Sequence, residues 1–205
     1  MPLVYEIKKK ESLKTSLWSG GTTTEIYIYP ENALYAGRKF DFRISTAVVE
    51  DEESAFTQLP GFKRHIMPLE GSMYLIHENH HEIQLKPFQK DFFHGDWVTK
   101  SHGKCTDFNL MLAENFSGNI DIVKSGYVES LRTSGFFGFY MLCDCMAEIN
   151  LGSGAFEEKL EKGSFLTFPF IGDTVQEICR VKLTGTADNA FAAVKVNVNK
   201  EEESK

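Results

Sequence analysis

Three short stretches of this 205-residue chain gather side chains able to bind or transform a small polar molecule. Successive side chains of a strand point to opposite faces, so the chemistry of each face can be read from parity. In "SGGTTTEIYIY", Glu25 shares a face with Thr23, Tyr27 and Tyr29, opposite Thr24, Ile26 and Ile28. In "KFDFRISTAVV", Asp41, Arg43, Ser45 and Ala47 oppose Phe40, Phe42, Ile44 and Val48, and in "TDFNLML", Asp107 and Asn109 oppose Phe108 and Leu110. A polar face on a half-buried antiparallel strand ordinarily meets water. Here it combines a guanidinium fork, a hydroxyl, an amide and carboxylates, a convergent set unlike the lysine and glutamate of a solvated face. In a small barrel the second face is the interior, where such groups must pair or bind something. Arg43 suits a carboxylate, because its planar fork donates two parallel hydrogen bonds where lysine offers a point charge. It equally suits an ion pair with Glu25 or Asp107 that neutralises a buried interior, and the two roles are compatible.

Other chemistries find less support. Histidines 65, 77, 80, 81, 94 and 102 cluster, and Gly71 followed after five residues by His77 opens the cupin metal pattern G-x5-H-x-H-x3-4-E-x6-G. Asn79 then occupies the second histidine position, Glu82 falls one residue early, and the closing glycine is absent. "HENHH" reads as a hairpin tip with side chains diverging into solvent, so neither a metal nor any other cofactor is expected. Cys143 and Cys145 share a strand face and read as a small apolar pair, since no second ligand pair supports zinc. No G-x-S-x-G elbow, P-loop or dinucleotide fingerprint occurs. Gly20-Gly21 reads as a positive-φ turn that turns backbone N–H groups and threonine hydroxyls towards a cavity.

The elements that must hold these groups are strands. Seventeen phenylalanines, 42% hydrophobic residues and the absence of heptads favour sheets over a core of ample size. Strand signals recur at 24–29, 39–49, 72–76, 81–85, 106–112, 138–144, 146–151, 164–168 and 191–198, and only "DIVKSGYVESLR" suggests a helix, weakened by Gly126. The segments beginning "LEGSMYLIHENHH" and "MLCDCMAEINLGSG" repeat one order: strand, polar turn, strand, lysine-bearing loop, aromatic strand. This doubling predicts an all-β chain of two jelly-roll barrels: an N-terminal barrel at 1–115, a C-terminal barrel at 116–198 and a disordered tail at 199–205. A net charge of -7 argues against nucleic acid as a partner. No segment approaches the ~18 apolar residues of a membrane span, so a cytoplasmic protein without a membrane partner is expected.

The ordered blocks "WSGGTTTEI", "FDFRISTAVVEDEESAFTQLPGFKRHIMPLEG" and "DFNLM" resemble the HutD/Ves family of bacterial bicupin-like proteins, many of them associated with histidine utilisation. The likeness is specific from about residue 5 to 112 and looser to about 195. It implies two cupin-like barrels without the usual metal ligands, and a first-barrel pocket for a small acidic metabolite such as formylglutamate. It further implies a modulating role in that pathway, with no enzyme activity firmly attached and a homodimer compatible. Carried over residue by residue, the motif implicates Trp18, Thr22, Thr24, Glu25, Arg43, Ser45, Arg64, Asp107 and Asn109 in ligand binding. Phe42 stands where the family commonly has Trp and Ser19 where it commonly has Asn. The alternative activity is a metal-independent isomerase or hydrolase with Glu25 or Asp107 as general base.

Overall fold

The computed structural model describes residues 5–131, 135–151, 154–171, 179–186 and 191–201. Their regular structure is strand, apart from single 3-10 turns at Lys10–Ser12 and Tyr35–Gly37. Two compact units result: one is Leu13–Ser117 closed by Glu201, the other Gly118–Lys200 together with residues 5–12. In chain order the strands are β1 (Glu6–Lys8), β2 (Lys14–Trp18), β3 (Gly21–Tyr29), β4 (Phe42–Val49), β5 (Glu53–Ala55), β6 (Phe62–Gly71), β7 (Met73–His77), β8 (His81–Leu85), β9 (Asp91–His94), β10 (Thr99–His102) and β11 (Cys105–Ala113). They continue as β12 (Phe116–Lys124), β13 (Tyr127–Leu131), β14 (Gly135–Met141), β15 (Cys145–Asn150), β16 (Ala155–Leu160), β17 (Phe165–Ile171), β18 (Cys179–Gly185) and β19 (Phe191–Lys200).

The unit that carries the polar faces has a six-stranded antiparallel sheet, β2-β3-β4-β11-β6-β9, and a four-stranded one, β5-β10-β7-β8. The other unit has sheets β1-β17-β14-β19-β12 and β13-β18-β15-β16. This is the all-β, two-part architecture expected from the doubled strand order, and the cupin-like one that the family resemblance implies. Alternation holds along β4 and β11, where Phe42, Ile44, Phe108 and Leu110 are fully buried on one face. Burying such large side chains, at about 1.5–3 kcal/mol each, holds these strands in register. The opposite face is thereby committed to Arg43, Ser45, Asp107 and Asn109.

The structure departs from the sequence reading in three places. The suggested helix is instead the end of β12 and the start of β13, strands of two different sheets joined by a turn at Gly126 with φ 84°, because β-branched Ile and Val flank a residue in glycine's preferred conformation. The chain start does not join the first barrel: β1 pairs with β17, Ile7 opposite Leu166, a pairing too remote in sequence for local patterning to reveal. Asn199 and Lys200 extend β19 instead of fraying, and Glu201 accepts a 3.0 Å hydrogen bond from Lys63. Residues 202–205 lie outside the described residues. Among the described residues no helix is long and apolar enough to cross a membrane.

Candidate functional site

Cross-strand register sets the site in rows across the six-stranded sheet. One row runs Ile28, Arg43, Met111, Arg64, Phe93; the next runs Glu25, Ser45, Asn109, Ile66, Asp91; a third aligns Thr23, Ala47, Asp107 and Pro68. Directly opposed residues project to the same side. Arg43 and Arg64 therefore stand on one face, two strand spacings or about 10 Å apart, with Met111 between them. They border a cavity of about 610 Å³, lined also by Trp18, Thr23, Tyr35, Ser45, Ala47, Phe56, Asp107 and Asn109.

Arg43 is buried and doubly held. Its Nε donates to Glu25 Oε2 at 2.8 Å and its Nη1 to Ser45 Oγ at 3.2 Å. The guanidinium carbon lies 4.4 Å from the centre of the Tyr35 ring, so an aromatic face also stabilises the charge. Arg64 is held more loosely. Its Nη1 donates to the Thr57 carbonyl at 3.4 Å, its guanidinium lies 4.9 Å from the Phe56 ring and 5.0 Å from the Phe93 ring, and its buried Nε has no hydrogen-bond partner. An unmet buried donor carries a desolvation cost of roughly 1–3 kcal/mol, which a bound acceptor would remove. Burial lowers the Arg64 pKa to about 10, leaving it charged at neutral pH.

Asp107 is the second electrostatic centre. Burial pushes its carboxyl up to about 7, against the opposing pull of the Asn109 hydrogen bond, the Arg64 charge and a backbone bond at Ala47. Asn109 donates through Nδ2 to Asp107 Oδ1, which fixes both side chains. The floor of the cavity thus holds two guanidinium cations and one carboxyl group poised to gain or lose a proton near neutrality. The rim carries the exposed carboxylates Asp51 and Glu53.

Of the sequence candidates, the structure brings Trp18, Arg43, Ser45, Arg64, Asp107 and Asn109 to the cavity, and Glu25 reaches it through Arg43. Thr22 and Thr24 stand opposite Val48 and Thr46 on the other face, and Thr24 bonds Thr15 between hydroxyls at 2.8 Å. Thr23 lines the cavity in their place. A β-bulge between Glu25 and Tyr27 also reverses parity, so Tyr27 and Tyr29 leave the Glu25 face and stack on Phe42 with ring centres 5.7 and 5.4 Å away. The Gly20-Gly21 pair serves close approach. A Cβ at Gly20 would enter the Trp18 ring, and one at Gly21, whose φ is 150°, would strike the Val48 carbonyl. Tyr35 and Thr57 are not among the sequence candidates, and Phe56 belongs to the matched block "AFTQLPGFKR" without being among the binding candidates. The signal for Tyr35 and Thr57 is position in segments flanking strands that carry arginine, and for Phe56 also its place in that block.

Two guanidinium groups, an amide, a hydroxyl and one carboxyl make a poor donor set for a divalent cation, which needs several neutral or anionic ligands. The cavity does not fit the metal centre that a cupin-like fold can carry. Thiolate chemistry at Cys105, Cys145 and Cys179 is also unsupported at neutral pH, because burial raises each to about 12. The Cys143 and Cys145 sulfurs lie 3.7 Å apart.

The hairpin histidines correct the expectation of rings diverging into solvent. His77 and His81 oppose each other across β7–β8, and both rings turn towards Asp91. Opposed residues of an antiparallel pair share a face, and "HENHH" contains that pairing when its turn is taken as three residues long.

The family model described as HutD matches residues 10–169. Among solved structures, HutD from Pseudomonas fluorescens SBW25 is 20% identical with a TM-score of 0.74, covering 97% of this chain and 100% of its own. A conserved protein of unknown function from Pseudomonas aeruginosa PAO1 is 21% identical with a TM-score of 0.76 over the same shares. A mutant of oxalate decarboxylase from Bacillus subtilis, 6% identical, superposes with a TM-score of 0.65 over 97% of this chain and 78% of its own, a likeness of fold alone.

Proposed function

The chain belongs to the HutD family, and from that premise we propose that it binds a small acidic metabolite in the cavity over the polar face of β4, β11 and β6, and modulates histidine utilisation by sensing or sequestering it. The observation that carries this reading is the pair of buried arginines on one face, of which Arg64 retains an unmet Nε donor. Their separation across Met111 suits a short dicarboxylate of the formylglutamate kind, with one carboxylate directed to each guanidinium. Asp107 opposes an anion when ionised and accommodates it when protonated.

A thermal-shift screen of histidine-pathway acids tests this reading, since a ligand bound only by the folded chain raises the melting temperature in proportion to its occupancy. One or more of these acids is expected to stabilise the wild type, and the shift is expected to vanish in Arg43→Ala and to remain small in Arg43→Lys. No stabilisation by any acid, or stabilisation that survives loss of Arg43, rejects it. The pKa of Asp107 near 7 favours a second reading, a metal-independent isomerase or hydrolase with Asp107 as general base. That reading requires turnover of a bound acid that Asp107→Asn abolishes without abolishing binding.

A further inference from the structure

We propose that His77, His81 and Asp91 form a binding site for a single transition-metal ion of the zinc class, separate from the acid-binding cavity. The site follows from the β7–β8 hairpin, whose register sets His77 directly opposite His81 and so points both rings to one side. The loop between them is closed by a 3.0 Å hydrogen bond from the His80 N–H to the His77 carbonyl, with Asn79 in the left-handed region at φ 62°. Asp91, the first residue of β9, brings its carboxylate up from a separate strand.

The distances suit one shared ion. Asp91 Oδ2 lies 2.9 Å from His77 Nε2 and 3.1 Å from His81 Nε2, and the three groups place ligand atoms all within 4.8 Å of one another. Tetrahedral ligands held about 2.0–2.1 Å from zinc stand roughly 3.3–3.4 Å apart. The carboxylate oxygen stands within about 0.5 Å of that spacing from each imidazole.

The surroundings are those of a ligand set held ready. His77 Nδ1 lies 2.8 Å from Thr99 Oγ1, the kind of partner on the second ring nitrogen that orients metal-bound histidines. The His77 ring packs 4.6 Å from the Phe93 ring and 5.6 Å from Trp97, while His80 stacks on Trp97 at 3.7 Å and pins the loop. The His81 side chain is 38% exposed, against 0% for His77, which leaves a solvent route to the site and room for a water ligand. One histidine would satisfy Asp91 as a structural partner. A second imidazole turned onto the same carboxylate oxygen, with ring centres 4.6 Å apart, forms a nitrogen-rich set that favours zinc, nickel or copper over magnesium or calcium. None of the three residues borders the acid cavity, so this inference stands or falls apart from the proposed function.

Titration of metal-free protein with zinc chloride, followed by calorimetry, is expected to show one ion per chain, and the cobalt(II)-substituted protein is expected to show ligand-field absorption. His81→Ala and the isosteric Asp91→Asn are each expected to weaken zinc binding at least about tenfold and to remove the cobalt bands, whereas His102→Ala changes neither. The metal-free melting temperature of His81→Ala is expected to stay near that of the wild type; if Asp91→Asn melts early, His81→Ala decides alone. Absence of saturable zinc binding by the wild type, or binding that His81→Ala leaves intact, overturns the proposal.

Discussion

The two units spend their interiors differently. In the unit of β12 to β19 the core is apolar, built from Phe139, Met141, Leu166, Phe168, Val181 and their neighbours, and its buried polar side chains among the described residues are Ser164 and Thr167. The unit of β2 to β11 buries Arg43, Ser45, Arg64, Asp107 and Asn109 on the face of its central sheet. Both have a pair of sheets and both fill one face with phenylalanine and aliphatic side chains. The difference lies in whether the second face is closed by packing or left as a cavity lined with charge. The first arrangement contributes stability, and the second gives some of it up, since each buried charge must recover its lost hydration from partners or from a ligand.

Cutting the filled interior should have the largest effect and should leave the cavity untouched. Phe139→Ala is expected to destabilise the chain by about 3–5 kcal/mol in denaturant unfolding, with no change in the affinity of any acid that stabilises the wild type. A loss of affinity would show that the contrast between a structural unit and a binding unit is false.

The next test uses pH. Asp107 has an ordinary carboxyl value of 3.8 and a folded value of about 7, so the folded chain holds this proton more tightly than the unfolded chain. Below about pH 4 the group is protonated in both states and adds no penalty. As pH rises from there through 7 the penalty for burying a carboxylate develops in full, and stability falls. Unfolding at pH 5 and pH 8 should differ by roughly 2–4 kcal/mol from this group, and Asp107→Asn should flatten that profile. A wild type that gains stability between pH 5 and 8 while Asp107→Asn does not would show that Arg64 controls the site more strongly than burial does.

Smaller changes sharpen the distinction within the cavity. Arg64→Gln removes the charge with the unmet Nε donor, and is expected to weaken acid binding by about 1.5–3 kcal/mol, the range for hydrogen bonds to charged groups. Calorimetric titration would measure it. Thr24→Ala, on the opposite face of β3, should shift stability by no more than about 0.5 kcal/mol and leave binding unchanged. If Thr24→Ala weakens binding as Arg64→Gln does, the division of β3 into a cavity face and an outer face fails.

Much of this site was legible in the sequence because strand parity is a local property. Arg43 with Ser45 and Asp107 with Asn109 lie two residues apart on strands whose alternate positions are phenylalanine, isoleucine or leucine, so their faces could be assigned without coordinates. Parity failed where the backbone inserted a residue: the bulge after Glu25 carried Tyr27 and Tyr29 to the other face, and no residue type there announced it. Thr22 and Thr24 were implicated by the motif, whereas register points Thr23 inward.

By itself the sequence determined the all-β class, the doubled strand order, the family and the polar faces of β4 and β11, since all of these depend on composition and on short periods. Only the tertiary structure decided which faces meet. It set Arg64 two strands from Arg43, raised Asp107 by removing it from water, joined β1 to β17, and turned His77 and His81 onto Asp91. Each of these depends on contacts between segments distant in the chain, whose energies come from burial and register that a local pattern does not encode.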